Sequence, residues 1–221
     1  MIEDLLRTES RLVGAKYLKS LEKRRVDRTM AGLFTIPAIA ALGLAIPVWL
    51  EDGQNPMVDA GGMREGRWAP LWKVRTMIPG AQELESKITG GRPLLEVKSD
   101  CDPRVTKTGR VIRKTTLDEL PQVFAVWAGK CHFVGPRVPA ITEWEWIIKH
   151  GNTGVYREYL EKVRDGLGFG AVGMYMAINR GMQDFEQRLE LDVLYWEKAS
   201  AAADWRILGA AMLGIIKSRG K

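Results

Sequence analysis

Two adjacent carboxylates, Asp118 and Glu119, follow a basic stretch and precede a proline and an apolar run in the segment RKTTLDELPQVF. One interpretation is structural, because Thr116 and Glu119 have the spacing of a capping box, in which each side chain closes the other's backbone amide. Since Pro121 is tolerated only in the first turn of a helix, Asp118 is the alternative cap. In both cases the carboxylates lie at a helix N-terminus, where free amides and the helix dipole lower carboxylate pKa values and attract phosphate. An ionised aspartate beside a phosphate site is a candidate nucleophile.

Basic side chains surround this pair along the sequence. They are Lys73, Arg75, Arg104, Arg110, Arg113 and Arg137. A guanidinium group matches phosphate oxygens with two parallel hydrogen bonds and neutralises charge during phosphoryl transfer. The alternative is a solvated basic face, which applies most to Arg104 and Arg110. Carboxylates, a metal ion and arginines together predict chemistry on a phosphate group.

The composition restricts the class of protein. The chain has 221 residues, a net charge of +6 and a pI of about 9.4, which predicts attraction to a phosphate substrate, a lipid headgroup or nucleic acid. Two cysteines and two histidines, without a CxxC motif, indicate neither a disulfide framework nor a His/Cys metal site and are typical of a reducing compartment. Nucleic-acid binding would explain the charge but not the long apolar run near the N-terminus, and no nucleic-acid-binding motif is present.

The N-terminal part of the chain has the pattern of a membrane-associated segment. Residues 1–28 combine leucines at helical spacing with many Lys and Arg residues, which predicts a helix on an anionic membrane surface; an ordinary surface helix is the alternative. Residues 29–50 contain no charged side chain and are long enough to cross a bilayer. Basic residues lie at both ends of this apolar run, which favours a location of its two flanks on the same side of the membrane. Pro37 removes a backbone donor near the middle, which predicts a re-entrant hairpin broken there; a kinked spanning helix is the alternative.

The remaining pattern predicts the fold class α/β (α+β). We expect a membrane-associated segment, residues 1–50, followed by a helix-rich small cytosolic domain, residues 51–221, with a short β-sheet. Segments near 67–77 and 104–112 are predicted to contribute the sheet. Helices are predicted at about 80–87, 140–149, 153–164, 182–199 and 203–218.

Several motifs, in a fixed order, make the chain resemble a known family. The segments KVRTM, RVTKTGRVIRKTTLDELPQ, VGPR and LDVLYWEKAS stand behind a basic and then apolar N-terminus. Over roughly residues 23–210 this arrangement is similar to the bacterial sugar transferase family, the monotopic polyprenol-phosphate phosphoglycosyl transferases, and the RKTTLDELPQ and VGPR segments are its most specific part.

The resemblance implies a mechanism and a set of site residues. Asp118 is expected to attack the phosphate next to the sugar of a UDP-sugar donor, which expels UMP and leaves a covalent phosphosugar enzyme; polyprenol phosphate then accepts the sugar phosphate. Glu119 is expected to associate with a required Mg²⁺ ion, and Pro37 to mark the break of a re-entrant membrane helix. Further motif positions expected to line the site are Lys73, Arg75, Arg113, Arg137 and Asp192.

The resemblance also implies partners, a location and an alternative. We expect the cytoplasmic face of the bacterial inner (plasma) membrane, contacts with its lipids and with downstream glycosyltransferases, a role in starting exopolysaccharide or glycoconjugate synthesis, and no nucleic acid partner. The chain departs from the family pattern in three places: VDAGGMREG lacks a glutamine, GKCH stands for Gly-Asp-Met-Ser, and RDGLGFG stands for Pro-Gly-x-Thr-Gly. An altered donor or a catalytically impaired, membrane-bound adaptor for glycan assembly is therefore the alternative. His132 is interpreted as incidental, and Cys131 lacks a positioned base.

Overall fold

The computed structural model describes residues 13–59, 61–64, 67–81, 84, 87–88, 90, 102–178 and 184–218. The helices of this part are α1 (Val13–Leu18), α2 (Leu21–Leu42), α3 (Ala45–Asp52), α4 (Lys107–Thr115), a 3-10 helix (Leu117–Gln122), α5 (Val123–Trp127), α6 (Ile141–His150), α7 (Gly154–Arg164), α8 (Met174–Ile178), α9 (Phe185–Lys198) and α10 (Ala201–Ser218). The strands are β1 (Met57–Asp59), β2 (Gly62–Arg64), β3 (Arg67–Ala69), β4 (Trp72–Val74), β5 (His132–Val134) and β6 (Gly170–Val172). The predicted helix-rich α+β fold is confirmed.

The strands form two-stranded pairs. Strands β1 and β4 pair antiparallel, as do β2 and β3, whereas β5 and β6 pair parallel. The sheet predicted from residues 67–77 and 104–112 is wrong in its second half, because α4 occupies most of 104–112 and only an isolated bridge joins Met77 to Val105. Thr106 favours the start of a helix at Lys107, since its hydroxyl accepts a hydrogen bond from the Gly109 amide at 2.9 Å and so caps α4.

The helices predicted after residue 139 are confirmed to within a few residues. Helices α6, α7, α9 and α10 follow the predicted segments. Helix α9 packs against α7 and α8, and α10 packs against α8 and against the strands β5 and β6. Their core is formed by large side chains that are almost completely buried, including Ile147, Tyr159, Tyr195 and Trp196. The helix predicted at 80–87 lies mostly outside the described residues.

The N-terminal segment forms three helices in succession, α1, α2 and α3. Ser20 separates α1 from α2, because its hydroxyl accepts a hydrogen bond from the Lys23 amide and caps the second helix. The single helix predicted for residues 1–28 is therefore wrong after residue 12, and residues 1–12 lie outside the described residues. Helix α2 continues through Pro37 and ends at Leu42; the interruption lies at Gly43, after which α3 begins.

One side of this helical segment is apolar and exposed, and the other side is packed. Over Leu21–Asp52 an 18-residue window has a mean hydropathy of 2.1, and only 17% of that window is buried. The exposed apolar side chains are Leu33, Ile36, Ile39, Leu42, Ile46, Trp49 and Leu50. The buried ones on the opposite side are Met30, Ala31, Ala38, Ala41 and Val48. The segment is long and apolar enough to span or enter a membrane.

A buried charge network joins the start of α2 to the rest of the fold. The Lys23 ammonium group is fully buried and contacts Asp27 at 2.9 Å and Asp204 at 2.7 Å. It also donates a hydrogen bond to the Val134 carbonyl at 2.9 Å. The sequence predicted Lys23 to be one of the positive charges of an amphipathic helix on the membrane surface. It is buried because Asp27, one turn further along the helix, and Asp204 on α10 neutralise it.

Replacement of Lys23 tests this network. We expect Lys23→Met to destabilise the protein by about 3–5 kcal/mol, because the change leaves two buried carboxylates without their cation. Thermal unfolding of the full chain in detergent measures the effect. Arg25→Met is the matched control, since Arg25 lies on the same helix and is exposed; an equal loss in both variants would contradict the assignment.

Candidate active site

The two carboxylates lie in the first turn of the 3-10 helix, which packs against β4, α2 and α4. Helix α4 ends at Thr115, and Thr116, with a φ of 54°, turns the chain into the 3-10 helix. The Thr116 hydroxyl donates a hydrogen bond to the Thr115 carbonyl at 2.7 Å and makes no cap contact. The capping box is therefore wrong, and so is Asp118 as a cap, because Asp118 lies inside the helix. The position of both carboxylates at a helix N-terminus is confirmed.

Asp118 is a buried carboxyl group among charges of both signs. Its side chain is 5% exposed. Burial raises the pKa of Asp118, and the neighbouring Glu119 carboxylate raises it further, whereas Lys73 and Arg113 act in the opposite direction. The ionised form that a nucleophile needs is therefore favoured by these two cations and disfavoured by the surroundings.

Lys73 on β4 is the amine that faces this pair. Burial lowers the pKa of Lys73, as do Arg137 and Arg113, while Glu119 and Asp118 raise it. The electrostatic neighbours of Lys73 and Asp118 thus define one cluster of five residues, the carboxylate cluster: Lys73, Arg113, Asp118, Glu119 and Arg137. Five of the seven site residues expected from the sequence are members of it; Arg75 and Asp192 are not.

Arg113 is held toward the cluster by α4. The Arg113 Nε donates a hydrogen bond to the Thr76 hydroxyl at 2.7 Å. A side chain at Gly109 would overlap the Thr76 backbone, so the glycine allows α4 to lie directly against the residues that follow β4. Burial lowers the pKa of Arg113, and the charge of the Asp118 carboxylate raises it.

Arg137 follows β5 in the VGPR segment and reaches the cluster from the opposite direction. The Arg137 guanidinium lies 3.4 Å from a Glu119 oxygen and donates a hydrogen bond to the Tyr175 hydroxyl at 3.0 Å. Its side chain is 44% exposed, so it is free to contact a ligand. Gly135 brings the segment close to β6, since a Cβ there would lie 3.0 Å from the Gly170 amide nitrogen.

Arg75 is not part of the carboxylate cluster. Its guanidinium forms two hydrogen bonds with the Asp52 carboxylate, at 2.7 and 2.6 Å, and its Nε donates to the Asn55 carbonyl at 2.8 Å. Arg75 therefore holds the end of α3 against the strand region. Its predicted role in lining the site is not supported by these contacts.

Asp192 lies in the core behind the cluster. It is fully buried on α9, its nearest cation is Arg188 with an N–O distance of 3.9 Å, and neither carboxylate oxygen has a hydrogen-bond partner among the described residues. Burial raises the pKa of Asp192 to about 7. Arg188 donates a hydrogen bond to the Arg137 carbonyl at 3.2 Å, so Arg188 connects Asp192 to the carboxylate cluster.

Several supporting residues carry no signal of their role in the sequence. Thr76 and Tyr175 fix the orientation of Arg113 and Arg137, yet neither stands in a charge pattern. The Lys23–Asp27 pair could have been found from its i,i+4 spacing. His132 is not incidental, because its Nδ1 lies 2.9 Å from the Asp27 carboxylate, but this contact is outside the carboxylate cluster.

The donor set is compatible with Mg²⁺ bound together with a diphosphate. Among the described residues there is no group of three or more His, Cys, Asp or Glu side chains that would enclose a metal ion. Mg²⁺ instead binds through one or two carboxylates, water and substrate phosphates. Glu119 is half-buried beside the buried Asp118, and a cation there would relieve the repulsion that raises the Asp118 pKa. Glu119 therefore remains the candidate ligand.

Comparison with known proteins identifies the family. Residues 18–218 match the profile of the family described as bacterial sugar transferase. The chain is 32% identical over 199 residues to the galactosyl transferase CpsE of Streptococcus agalactiae, an alignment that covers 87% of this chain and 42% of that protein. It is 31% identical over 188 residues to the uncharacterized sugar transferase EpsL of Bacillus subtilis, covering 85% of this chain and 79% of that protein.

A third relative carries a more specific name. The UDP-glucose:undecaprenyl-phosphate glucose-1-phosphate transferase of Escherichia coli is 28% identical over 201 residues, which covers 85% of this chain and 39% of that protein. The chain thus spans less than half the length of two of these three relatives. Since the family profile covers nearly the whole chain, the protein belongs to the bacterial sugar transferase family.

The titration of Asp192 has a measurable effect on stability. Its folded pKa of about 7 lies above the ordinary value of 3.8, so ionisation is disfavoured in the folded state. The free-energy cost of ionising Asp192 in the folded protein is absent below pH 3.8, grows as the pH rises, and is complete above about pH 7. Asp192→Asn is therefore expected to become more stable relative to wild type between pH 4 and pH 7, by roughly 4 kcal/mol at most.

Chemical unfolding at several pH values measures this difference. Glu190→Gln, on the exposed side of the same helix, is the matched control and should show no comparable trend. A difference between Asp192→Asn and wild type that stays constant from pH 4 to pH 8 would show that Asp192 is ionised throughout.

Proposed function

We propose that this protein transfers a sugar 1-phosphate from a UDP-sugar to polyprenol phosphate, with Asp118 as the nucleophile. The observation that carries the proposal is the buried Asp118 carboxyl, which shares its surroundings with Glu119 and three cationic side chains. The names of relatives support the substrate class, since one is called a UDP-glucose:undecaprenyl-phosphate glucose-1-phosphate transferase. Membership in the family supports the reaction type.

The first step transfers the phosphosugar to the enzyme. A carboxylate oxygen of Asp118 attacks the phosphorus next to the sugar, the bond from that phosphorus to the bridging oxygen breaks, and UMP leaves with the electron pair. Lys73 and Arg113 stabilise the ionised form of Asp118 and, with Arg137, offer donors to the phosphate oxygens. Mg²⁺ at Glu119 would neutralise charge on the diphosphate.

The second step releases the product. An oxygen of polyprenol phosphate attacks the same phosphorus, the bond to Asp118 breaks, and the carboxylate is regenerated. The product is a polyprenol diphosphate sugar. Dividing the transfer into two displacements lets one set of cations, Lys73, Arg113 and Arg137, serve both donor and acceptor in turn.

The helical segment α2–α3 supports attachment to one membrane face. Buried residues from Met30 to Val48 pack against the domain along the segment, while its opposite side is apolar. Both ends are tied to the domain, through Lys23 at one end and through Asp52 and Arg75 at the other. A helix packed lengthwise on the domain is suited to lie in one leaflet of the cytoplasmic side of the inner membrane rather than to cross both.

Substitution of Asp118 tests the chemistry. We expect Asp118→Asn to lower UMP release from a panel of UDP-sugars with Mg²⁺ by about 10⁴-fold or more, because the nucleophile is lost. Intact mass of wild type incubated with its donor, without acceptor, should show the added phosphosugar, and the variant should not. Glu158→Gln, which is exposed on α7, is the matched acidic control. Undiminished turnover in Asp118→Asn would refute the mechanism, and no release by wild type from any donor would favour the adaptor function.

Labelling from either side of the membrane tests the topology. With Cys101 and Cys131 replaced by alanine, single cysteines are introduced at the exposed positions Lys16 and Lys107. An impermeant maleimide should label both in inverted membrane vesicles and neither in spheroplasts. Labelling of the two positions from opposite faces would establish a spanning helix.

A further inference from the structure

A large cavity lies on the protein away from the carboxylate cluster. Its volume is about 1230 Å³, and its lining comes from the start of α2, the end of α5, helices α6 and α7, and the segment after α7. No member of the carboxylate cluster lines it. The volume is sufficient for a lipid headgroup with the beginning of its acyl chains.

The cavity has cations that are not used by the fold. Lys19, Arg24, Arg28 and Arg164 line it, are exposed, and form no ion pair with another described residue. One of the two acidic residues in the lining, Asp27, is already bound by Lys23, by His132 and by the Phe133 amide. The cavity is therefore positive overall, and a phosphate group is its natural counterion.

The other part of the lining is apolar and adjoins the membrane segment. Trp127, Trp144, Ile148 and Val163 contribute to it. The Trp127 indole nitrogen donates a hydrogen bond at 3.0 Å to the Thr35 hydroxyl on α2, and both Trp127 and Ile148 are substantially exposed. Tryptophan is favoured at the boundary between headgroups and hydrocarbon.

The position of Arg24 and Arg28 fixes the level of the cavity relative to the bilayer. They stand one helical turn apart, immediately before the uncharged residues 29–50. Where an apolar segment begins after a basic one, the basic side chains lie among the phosphates of the membrane surface. The cationic and apolar parts of the cavity thus match the order of phosphate and hydrocarbon in a lipid.

We propose that this cavity binds the phosphodiester headgroup of an anionic phospholipid. Arg24 and Arg28 contact the phosphate, Arg164 and Lys19 add positive charge, and Trp127 and Ile148 contact the first methylene groups of the acyl chains. The ligand is distinct from an acceptor that must reach Asp118, since the cavity and the carboxylate cluster share no residue. The site fixes the protein's rotation about α2 at the surface, and it does not depend on sugar transfer.

Charge-matched variants test the site. The full chain, in a non-ionic detergent, is titrated calorimetrically with dihexanoyl phosphatidylglycerol. We expect Arg24→Gln/Arg28→Gln to weaken binding by about tenfold or more, because two phosphate contacts are lost. Lys16→Gln/Arg25→Gln removes the same charge from exposed positions outside the cavity and should change binding by less than about twofold. Unaltered melting temperatures would confirm that both variants fold.

Three results would overturn the proposal. Equal weakening in the two double variants would show general attraction of charge to a surface. Equal affinity for dihexanoyl phosphatidylcholine, or for inorganic phosphate alone, would show that an anionic lipid headgroup is not the ligand. Competition by a short polyprenyl phosphate at the same residues would assign the cavity to the acceptor. UMP release measured in parallel separates failure of this site from failure of the proposed transferase.

Discussion

The buried ammonium group of Lys23 is the interaction on which the arrangement of this protein depends. An ammonium group without water is costly unless anions and acceptors surround it, and here two carboxylates and a backbone carbonyl do so. Asp204 in turn accepts hydrogen bonds from the Tyr17 and Tyr195 hydroxyls. These groups come from α1, α2, α9, α10 and β5. The Lys23 ammonium group and its partners therefore connect helices from both ends of the described chain to β5, the strand that leads into the VGPR segment.

This charge network also links the membrane segment to the candidate site. The Val134 carbonyl that accepts from Lys23 is followed directly by Gly135 and Pro136, and then by Arg137. On the other side of Arg137, Arg188 binds its carbonyl and lies over the ring of Tyr175. Lys23 on α2 and Arg188 on α9 therefore fix the backbone on either side of Arg137. The exposed Arg137 guanidinium is thereby held in a defined direction beside Glu119. Rigid support of this kind is what a site needs to present donors to developing charge.

The sequence predicted which side chains come together better than it predicted the elements that hold them. Helices after residue 139 follow from hydrophobic spacing, and all five members of the carboxylate cluster follow from motif position. Residues 104–112 were predicted to contribute to the sheet, whereas the Thr106 cap starts a helix there. Arg75 shows a limit of another kind. A guanidinium fork matches a carboxylate as well as a phosphate, so only the nearness of Asp52 in the fold reveals which one it binds.

The packing of the 3-10 helix bears on how the buried Asp118 carboxyl could serve a lipid-linked acceptor in the proposed transfer. The phosphate of a polyprenol lies at the bilayer surface, so the proposed transfer requires Asp118 to be held at that level. The 3-10 helix that carries Asp118 packs directly on α2, and the ends of the α2–α3 segment are fixed by Lys23 and by the Asp52–Arg75 pair. The distance from the carboxylates to the apolar face of α2 is consequently set by side-chain packing rather than by a flexible linker. A change that loosened either tether would alter the depth of Asp118 relative to the membrane without touching any reacting atom.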